Sequence, residues 1–507
     1  MMRSQLAKEL SKETPKADRV KLIQEKIHEE EKEKMIAEAE LDAGNFFPYK
    51  GGIPGSEIDD LDKVSKRLAR GTAILQYSFV GEDFIGWAIT EQGMIRHYLT
   101  TVEEHAVGIW IRRFHSFLSK RPERKISEEN KFYAERLSNI FLVPLSNVIT
   151  QNSRLIIIPY GVGHLLPIHV LPWNGRPLAE THIVTFLPSA SFLQFMPTDS
   201  IKIPQSPSLL AIGNPAHMNY SPAGEHLTWN PLPRPFLEAE YISRIIPSST
   251  VFTASSATIS AVRANISTHK LLRFSTHGYL SPGVPLALAI LLANGQALSV
   301  YEMMSLHLNA DLVVMSACDT GHGKVTPGDD VVGSLARALL AAGAKLAIVT
   351  LWVVVDIAAC LLMGEFYQCL LLPNREKFDA ARALRDAQMW LRGLTNREKK
   401  LRSEEMRQSL TLRLSETVQT QEGDEYPTTT TTTIKSSHVV DLLQRSLADV
   451  EHECNEMEQE QEQKQEQERN PSARVEPEYY QQMLEAHGKV CPYQAPYYWA
   501  PFILIGV

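Results

Sequence analysis

The sequence predicts an α/β protein built on a doubly wound, mostly parallel sheet with flanking helices. Short, continuous apolar runs recur through the middle of the chain, as is typical of strands covered on both faces. Helical stretches lie between several of these runs, and that alternation favours parallel pairing. The chain has 507 residues, 44% of them apolar, which is enough for a large core. The runs are LIIIP from Leu155, LLAIG from Leu209, LLRFS from Leu271, LVVMS from Leu312 and LAIVTLW from Leu346.

A charged arm and a small β-meander precede these strands. Residues 1–57 are rich in Lys and Glu, end in a Gly- and Pro-containing stretch and are interpreted as a solvated helical arm. A short amphipathic helix is predicted after them from the spacing of Ile58, Leu61, Val64 and Leu68. The segments AILQYSFV, DFIGWAIT and MIRHYL, separated by turn residues, then predict three antiparallel strands, and two amphipathic helices follow.

The predicted main domain covers residues 58–395 and is completed by residues 475–507. Within it, helices are expected at Phe236–Ile246, Thr258–Ile266 and Asp329–Ala342, and a further helix ends near Leu394. Residues 396–474 are charged and low in sequence complexity, so they are interpreted as a largely disordered insertion. The closing segment PYYWAPFILIGV predicts a last strand that returns to the core.

Composition and charge argue against several classes of protein. The formal net charge of −8 does not favour a binder of nucleic acid or of anionic membranes. The apolar run from Leu346 to Met363 contains Asp356 and is interpreted as a buried strand leading into a core helix rather than a membrane span. Five cysteines without a CxxC pair, and an N-terminus without an apolar leader, predict a reducing, cytoplasmic location.

Two predicted strands end in residues suited to nucleophilic chemistry. LLRFSTHG ends in His277 and Gly278, and LVVMSACDTG ends in Cys318 and Asp319. Functional groups of open parallel sheets lie at the carboxyl ends of the strands, so neighbouring strands would bring the two side chains together. An imidazole can take the proton of a thiol and later protonate a leaving amine. The N–H groups of Gly278 and Cys318 are the candidate oxyanion hole.

The residues alone leave open that Cys318 and His277 have purely structural roles. Free cysteine is usually buried, and a histidine at a strand end often only caps a hydrogen bond. His322 is interpreted as a loop residue, Cys360 and Cys369 as core residues, and Cys454 and Cys491 have no assigned role. GHGKV lacks the phosphate-loop pattern, and no group of His and Cys has metal-ligand spacing. No cofactor and no metal are therefore expected.

Several motifs together resemble the CHAT domain, a caspase-like, separase-related peptidase family often found with tetratricopeptide repeats. The resemblance runs from about Thr72 to Val507, interrupted by the insertion, and it implies a caspase-like fold. It also implies that His277 and Cys318 are the catalytic dyad and that Gly278 is the glycine beside the histidine. The motifs are FSTHGYL, LVVMSACDTGHGKVTPGDDVVGSLARALLAAGAKLAIVTLWVVVD, ALRDAQMWLRGLT and PYYWAPFILIG, supported by LIIIPYGVGHLLPIHVLP and TFLPSASFL.

The favoured hypothesis is a cysteine endopeptidase that acts on protein or peptide substrates. Asp329, Asp330 and Asp356 are the candidate substrate-binding residues, although all three also suit helix starts. Asp356 is preferred because it follows a sheet strand and matches an acidic position of the resembling family, which predicts cleavage after Arg or Lys. Two alternatives stay open: a catalytically silent module that binds a regulatory protein through the arm or the insertion, and an acyl hydrolase or transferase with the same dyad.

Overall fold

A computed structural model provides the structure of the protein, and most of the predicted main domain is described in it. The arm of residues 1–57 and nearly all of the predicted insertion lie outside the described residues. The described residues are 61–80, 83–120, 128–188, 190–195, 207–220, 227–246, 248–280, 288–306, 308–316, 338–372, 378–399, 401–402, 405, 408, 491 and 493–506.

An 11-stranded sheet forms the centre of the described part of the molecule. Its strands are β1 (Thr72–Val80), β2 (Asp83–Thr90), β3 (Gly93–Thr101), β4 (Arg154–Ile158), β7 (Ile183–Phe186), β8 (Leu209–Pro215), β11 (Ser249–Ala254), β12 (Leu271–Ser275), β16 (Leu312–Met315), β17 (Ala347–Thr350) and β18 (Phe502–Ile505). Their order in the sheet is β11-β8-β12-β16-β17-β18-β7-β4-β1-β2-β3.

The sheet consists of two parallel sections that run in opposite directions. Strands β11, β8, β12, β16 and β17 pair in parallel, and β18, β7, β4 and β1 form a second parallel section. The reversal occurs where β17 pairs with β18 antiparallel. The carboxyl ends of β8, β12, β16 and β17 therefore share one edge of the sheet, which is the usual place for a ligand crevice.

Smaller sheets and helices complete the fold. The small strands are β5 (Pro172–Trp173) with β6 (Arg176–Pro177), β9 (Asn219–Tyr220) with β10 (Leu227–Thr228), and β13 (Gly278–Leu280), β14 (Leu288–Leu291) and β15 (Ala297–Ser299). Among the described residues, the α-helices with defined bounds are α1 (Leu61–Lys66), α2 (Glu104–Leu118), α3 (Glu128–Phe141), α4 (Ser146–Gln151), α5 (Pro233–Ile245), α6 (Ile259–Asn265), α7 (Val300–Ser305), α8 (Asp356–Leu370), α9 (Ala380–Gly393) and α10 (Pro496–Trp499). Short 3-10 helices occupy Val143–Leu145, Gly161–Leu165, Ile168–Val170, Leu178–Glu180, Ala190–Phe195 and Ala293–Gly295.

Burial explains why the strand sequences are continuously apolar. Every residue of β8, β12, β16, β17 and β18 is buried, as expected for strands whose two faces both carry covering elements. Helix α9 is amphipathic instead, and it turns Ala383, Leu384, Ala387 and Leu391 towards the sheet. Burial of these apolar groups is the main force that holds the helices on the sheet.

The predicted fold class is confirmed, including the meander, the two helices after it and the last strand at the C-terminus. The strand Ser249–Ala254 and the β13–β15 sheet were not predicted, because their short runs give no clear alternation. Of the predicted helix Asp329–Ala342, only the part from residue 338 onwards lies within the described residues. Residues 396–399, within the predicted insertion, are helical, while the boundary at 396 stays a prediction.

Candidate active site

The two strands that carry the predicted dyad are neighbours. β12 and β16 pair in parallel, with Phe274 opposite Met315. His277 follows Phe274 by three residues, and Cys318 follows Met315 by three residues. Cys318 itself lies outside the described residues, so the register describes the approach of the two segments and the thiol position stays a prediction.

The imidazole of His277 is held by a backbone carbonyl. Its Nε2 lies 3.0 Å from the carbonyl oxygen of Asn230, and since a carbonyl only accepts, Nε2 carries the proton. In the neutral ring the lone pair is then on Nδ1. This hydrogen bond fixes both the tautomer and the orientation of a ring that is only partly buried. The arrangement is that of an oriented base whose Nδ1 can accept a proton.

The segment that carries the Asn230 carbonyl is fastened to the sheet by Asn214. The Oδ1 atom of Asn214, near the end of β8, accepts a hydrogen bond of 2.7 Å from the N–H of Leu232. Asn214 has a φ of 46°, in the left-handed region that asparagine tolerates better than most residues. The chain of support therefore runs from β8 through Asn214 and the segment 230–232 to His277.

Gly278 begins the small strand β13, directly after the histidine. The N–H of Leu291 donates to the carbonyl of His277 at 2.9 Å, which makes these two residues a hydrogen-bonded pair of the antiparallel ladder. The next pair, Gly278 opposite Ile290, is then a non-hydrogen-bonded pair. Its N–H groups point away from the partner strand, and β13 is an edge strand of its sheet. The N–H of Gly278 therefore faces away from β14.

A cavity of about 170 Å³ opens beside His277, at the carboxyl ends of β12 and β16. Ser275 and Ser316 contribute polar groups to its lining, together with the carboxylate of Glu238 from α5. Leu232 and Val353 contribute apolar groups. Glu238 is 3% exposed and forms an ion pair with the fully buried Arg273. The charge of this carboxylate is therefore compensated within the fold.

The wall that contains Val353 is held in place from two sides. The Nε2 of His115, on α2, donates to the carbonyl of Leu351 at 3.0 Å. The indole Nε1 of Trp352 donates to the carbonyl of Tyr497 at 3.2 Å. Burial lowers the pKa of His115, so the ring is a neutral donor at neutral pH. These two contacts fix the chain between β17 and α8.

Of the three predicted substrate-binding residues, only Asp356 lies within the described part of the chain. Asp356 is the first residue of α8, three residues after Val353, so its backbone begins a helix next to the cavity wall. Asp329 and Asp330 lie outside the described residues, and their predicted role stays a prediction. Asp319, His322 and Cys454 also lie outside.

The remaining cysteines fit their predicted roles or have none assigned. Cys360 is buried in α8, and Cys369 is partly buried and packs against the same core, as predicted. Cys491 is also only partly buried.

Within the described part of the chain, His, Cys, Asp and Glu form no group that could hold a metal ion. None of the described helices combines the length and apolar character that crossing a membrane requires.

Three parts of the site were not predicted from the sequence. Asn230 acts through its backbone carbonyl, so its side chain gives no signal. Asn214 acts through a contact 18 residues away along the chain, which is visible only after folding. The pairing of Glu238 with Arg273 joins a helix to a strand, although a charged residue inside the apolar run LLRFS was a signal that could have been used.

Comparison with known proteins identifies one family. A model of the CHAT domain matches residues 131–507. Two solved structures of the Saccharomyces cerevisiae separase–securin complex are similar, with TM-scores of 0.44 and 0.41 and sequence identities of 9% and 10%. They cover 65% and 64% of this chain, whereas this chain covers 29% of each of them, well under two thirds of their length. No curated protein matches the chain significantly.

Proposed function

Because the chain belongs to the CHAT domain family, we propose that it is a cysteine endopeptidase with Cys318 as nucleophile and His277 as general base and acid. The observation that carries this proposal is the oriented imidazole of His277 at the end of β12, beside the strand that leads to Cys318. The equal spacing of the two residues from the paired Phe274 and Met315 supports their meeting across the sheet edge. The adjoining cavity supplies room for a substrate side chain.

The proposed acylation step uses the free nitrogen of the ring. Nδ1 of His277 takes the proton of the Cys318 thiol, because Nε2 already carries the proton donated to Asn230. The thiolate attacks the carbonyl carbon of the scissile peptide, and the N–H groups of Gly278 and Cys318 donate to the oxyanion that forms. Nδ1–H then protonates the departing amine as the C–N bond breaks, which leaves a thioester on Cys318.

Deacylation reverses the proton transfers with water in place of the amine. Nδ1 of His277 removes a proton from a water molecule, whose oxygen attacks the thioester carbonyl. Collapse of the second oxyanion breaks the C–S bond and releases the carboxylic acid. The proton returns from Nδ1 to the sulfur of Cys318, which restores the starting state.

The proposed specificity is for Arg or Lys before the scissile bond, with Asp356 as the recognising carboxylate. The carboxylate of Glu238 also lines the cavity, but its ion pair with Arg273 leaves no net negative charge there to attract a cation. Asp356 begins α8 immediately beyond the cavity wall. An unpaired cation is costly to bury, so a carboxylate at this position would favour a basic side chain.

A peptidyl electrophile tests the proposed activity. A short peptide ending in an acyloxymethyl ketone after Arg should label Cys318 and none of the other four cysteines, as read by peptide mass spectrometry. His277→Ala should abolish this labelling, whereas the matched change His97→Ala, at an exposed site on β3, should not alter it. Labelling that is equal in the wild type and in His277→Ala would contradict the proposed dyad and favour the silent interaction module.

A peptide library tests the specificity separately. Asp356→Asn should reduce cleavage after Arg and Lys relative to Gln at least about tenfold, the scale of one lost charged hydrogen bond. Asp386→Asn, on helix α9, is the control and should keep the wild-type preference. A basic preference that survives Asp356→Asn, or a preference for acidic residues in the wild type, would overturn the assignment of Asp356.

A further inference from the structure

A fully buried ion pair lies beneath the candidate active site. Arg273, on β12, is 0% exposed, and Glu238, on α5, is 3% exposed. The Nε atom of Arg273 lies 2.7 Å from Oε1 of Glu238, and Nη2 lies 2.6 Å from the same oxygen. The pair therefore joins the strand that leads to His277 to the helix that covers it.

The same guanidinium contacts the ends of both strands that carry the proposed dyad. Nη2 of Arg273 donates to Oγ of Ser316 at 2.6 Å and to Oγ of Ser275 at 3.3 Å. Ser275 precedes His277 by two residues, and Ser316 precedes Cys318 by two residues. Ser275 also donates to Oε1 of Glu238 at 3.2 Å, which completes a ring of hydrogen bonds.

Burying this ion pair costs desolvation free energy that apolar core residues would not require. Two charges must be removed from water, and well-packed apolar residues of similar size often give equal or greater stability. Val314, which lies opposite Arg273 in the register of β12 and β16, is a fully buried apolar residue, so apolar side chains are compatible with this environment. What apolar residues cannot do is fix the two serine hydroxyls at one common point, since that requires the several directed donors of a guanidinium.

We propose that Arg273 and Glu238 form a positioning pair that holds the ends of β12 and β16 together, and with them His277 and the segment leading to Cys318. Arg273 fixes both strand ends through Ser275 and Ser316, and Glu238 fixes Arg273. Neither residue touches the reacting atoms in this role. The inference deepens the proposed function and rests on it for its catalytic meaning, whereas the joining of the strand ends can be measured on its own.

The pair is tested with the double variant Arg273→Met and Glu238→Met, which removes both charges and leaves none unpaired. Hydrogen exchange at the amide of Ser316, which donates to the carbonyl of Phe274 at 2.9 Å, reports on the joined strand ends. We expect this amide to exchange about tenfold faster, the scale of one lost charged hydrogen bond. The control Arg154→Met, on β4, removes the ion pair of Arg154 with Asp379. β4 lies five strands from β12 in the sheet, so this change should leave the exchange of the Ser316 amide unchanged.

Alkylation of Cys318 by iodoacetamide is measured on the same proteins. In the double variant, the part of the alkylation rate that depends on His277 should fall at least about fivefold, while the cooperative unfolding transition is retained. A folded double variant with unchanged Ser316 exchange and unchanged alkylation would overturn the positioning pair. A wild-type rate that does not depend on His277 would overturn the proposed function instead, and the exchange of Ser316 alone would then decide whether the pair joins the strand ends.

If the double variant does not fold, Arg273→Lys tests the positioning pair instead. Lysine retains the charge opposite Glu238, but one ammonium group cannot reproduce the fixed fork of donors to Glu238, Ser275 and Ser316. Faster exchange at Ser316 is expected for this variant as well. Exchange at the wild-type rate would contradict the positioning role.

Discussion

At the scale of single residues, the site depends on one hydrogen bond that selects a tautomer. The bond from Nε2 of His277 to the carbonyl of Asn230 leaves Nδ1 as the basic nitrogen. Because a backbone carbonyl is independent of side-chain type, the residue at 230 gives no sequence signal, whereas the histidine and the cysteine do. The reacting groups His277 and Cys318 are therefore predictions from the sequence, whereas the carbonyl of Asn230 that orients the imidazole was not predicted.

A change at Asn214 should weaken the orientation of the His277 imidazole without altering His277 or Cys318. Asn214→Gly keeps the left-handed backbone and removes the acceptor of the Leu232 N–H, so stability should fall by about 1 kcal/mol and Cys318 alkylation should slow. Asn214→Asp retains an acceptor oxygen, so Cys318 should be alkylated at nearly the wild-type rate in this variant. Equal alkylation rates in the glycine variant and the wild type would show that segment 230–232 does not orient His277.

A buried histidine makes stability depend on pH. Burial lowers the pKa of His169 from 6.5 to about 4, although its Nε2 donates to the carbonyl of Ala500 at 3.1 Å. The unfolded chain binds a proton at this histidine at higher pH than the folded chain does. The contribution of the neutral His169 to the free energy of unfolding is therefore complete above about pH 6.5 and declines as the pH falls towards about 4. Between pH 7.5 and pH 5, His169 should account for a loss of about 2 kcal/mol.

Urea unfolding of His169→Gln at several pH values checks this. Glutamine cannot titrate at position 169, so the unfolding free energy of the variant should decrease less steeply than that of the wild type as the pH is lowered. Burial also lowers the pKa values of His115 and His182, so some pH dependence of the same sign should remain in the variant. Parallel curves for the wild type and His169→Gln would contradict a neutral buried His169.

At the scale of elements, the last strand of the chain, β18, connects the two parallel sections of the sheet. β18 lies between β17 and β7 and joins the two parallel sections, and its four residues are all buried. Four large apolar side chains at about 1.5–3 kcal/mol each are comparable to the whole stability of a typical domain. Removal of residues 496–507 should therefore abolish cooperative unfolding, as read by circular dichroism, whereas removal of residues 1–12 should not. A truncated chain that still unfolds cooperatively would contradict a central role for β18.

The strands with long apolar runs were the easiest elements to predict, and the last of them was placed in the core on composition alone. The sequence could not show that β18 reverses the direction of the sheet, because pairing direction depends on contacts far apart in the chain. It also did not show β11, whose first half is only partly buried and carries polar residues. Long apolar runs thus predict that a strand exists better than they predict its neighbours.

At the scale of the whole molecule, residues 410–474 are the larger part of the predicted insertion 396–474, which precedes the last strand, β18. Few of these residues are apolar, so replacing them with a flexible linker of about 20 residues should change the unfolding free energy by no more than about 0.5 kcal/mol. A deletion that begins at residue 396 is the matched control. It also removes the ion pair of Arg402 with Glu365 at 3.2 Å, and it should be less stable than the shorter deletion.

The shorter deletion also tests the proposal that a regulatory protein binds through the insertion. Retained stability together with unchanged cleavage of peptides and altered cleavage of protein substrates would support that role. A marked loss of stability would show instead that residues 410–474 pack against the main domain.

The most direct test of the proposed peptidase chemistry is the pH dependence of Cys318 alkylation by iodoacetamide, followed residue by residue in the wild type and in His277→Ala. We expect Cys318 to react with an apparent pKa at least about one unit below the usual 8.5 of a free thiol. In His277→Ala, the apparent pKa of Cys318 should return to the ordinary range. A wild-type Cys318 with an ordinary pKa, or a lowered pKa that survives His277→Ala, would contradict the dyad.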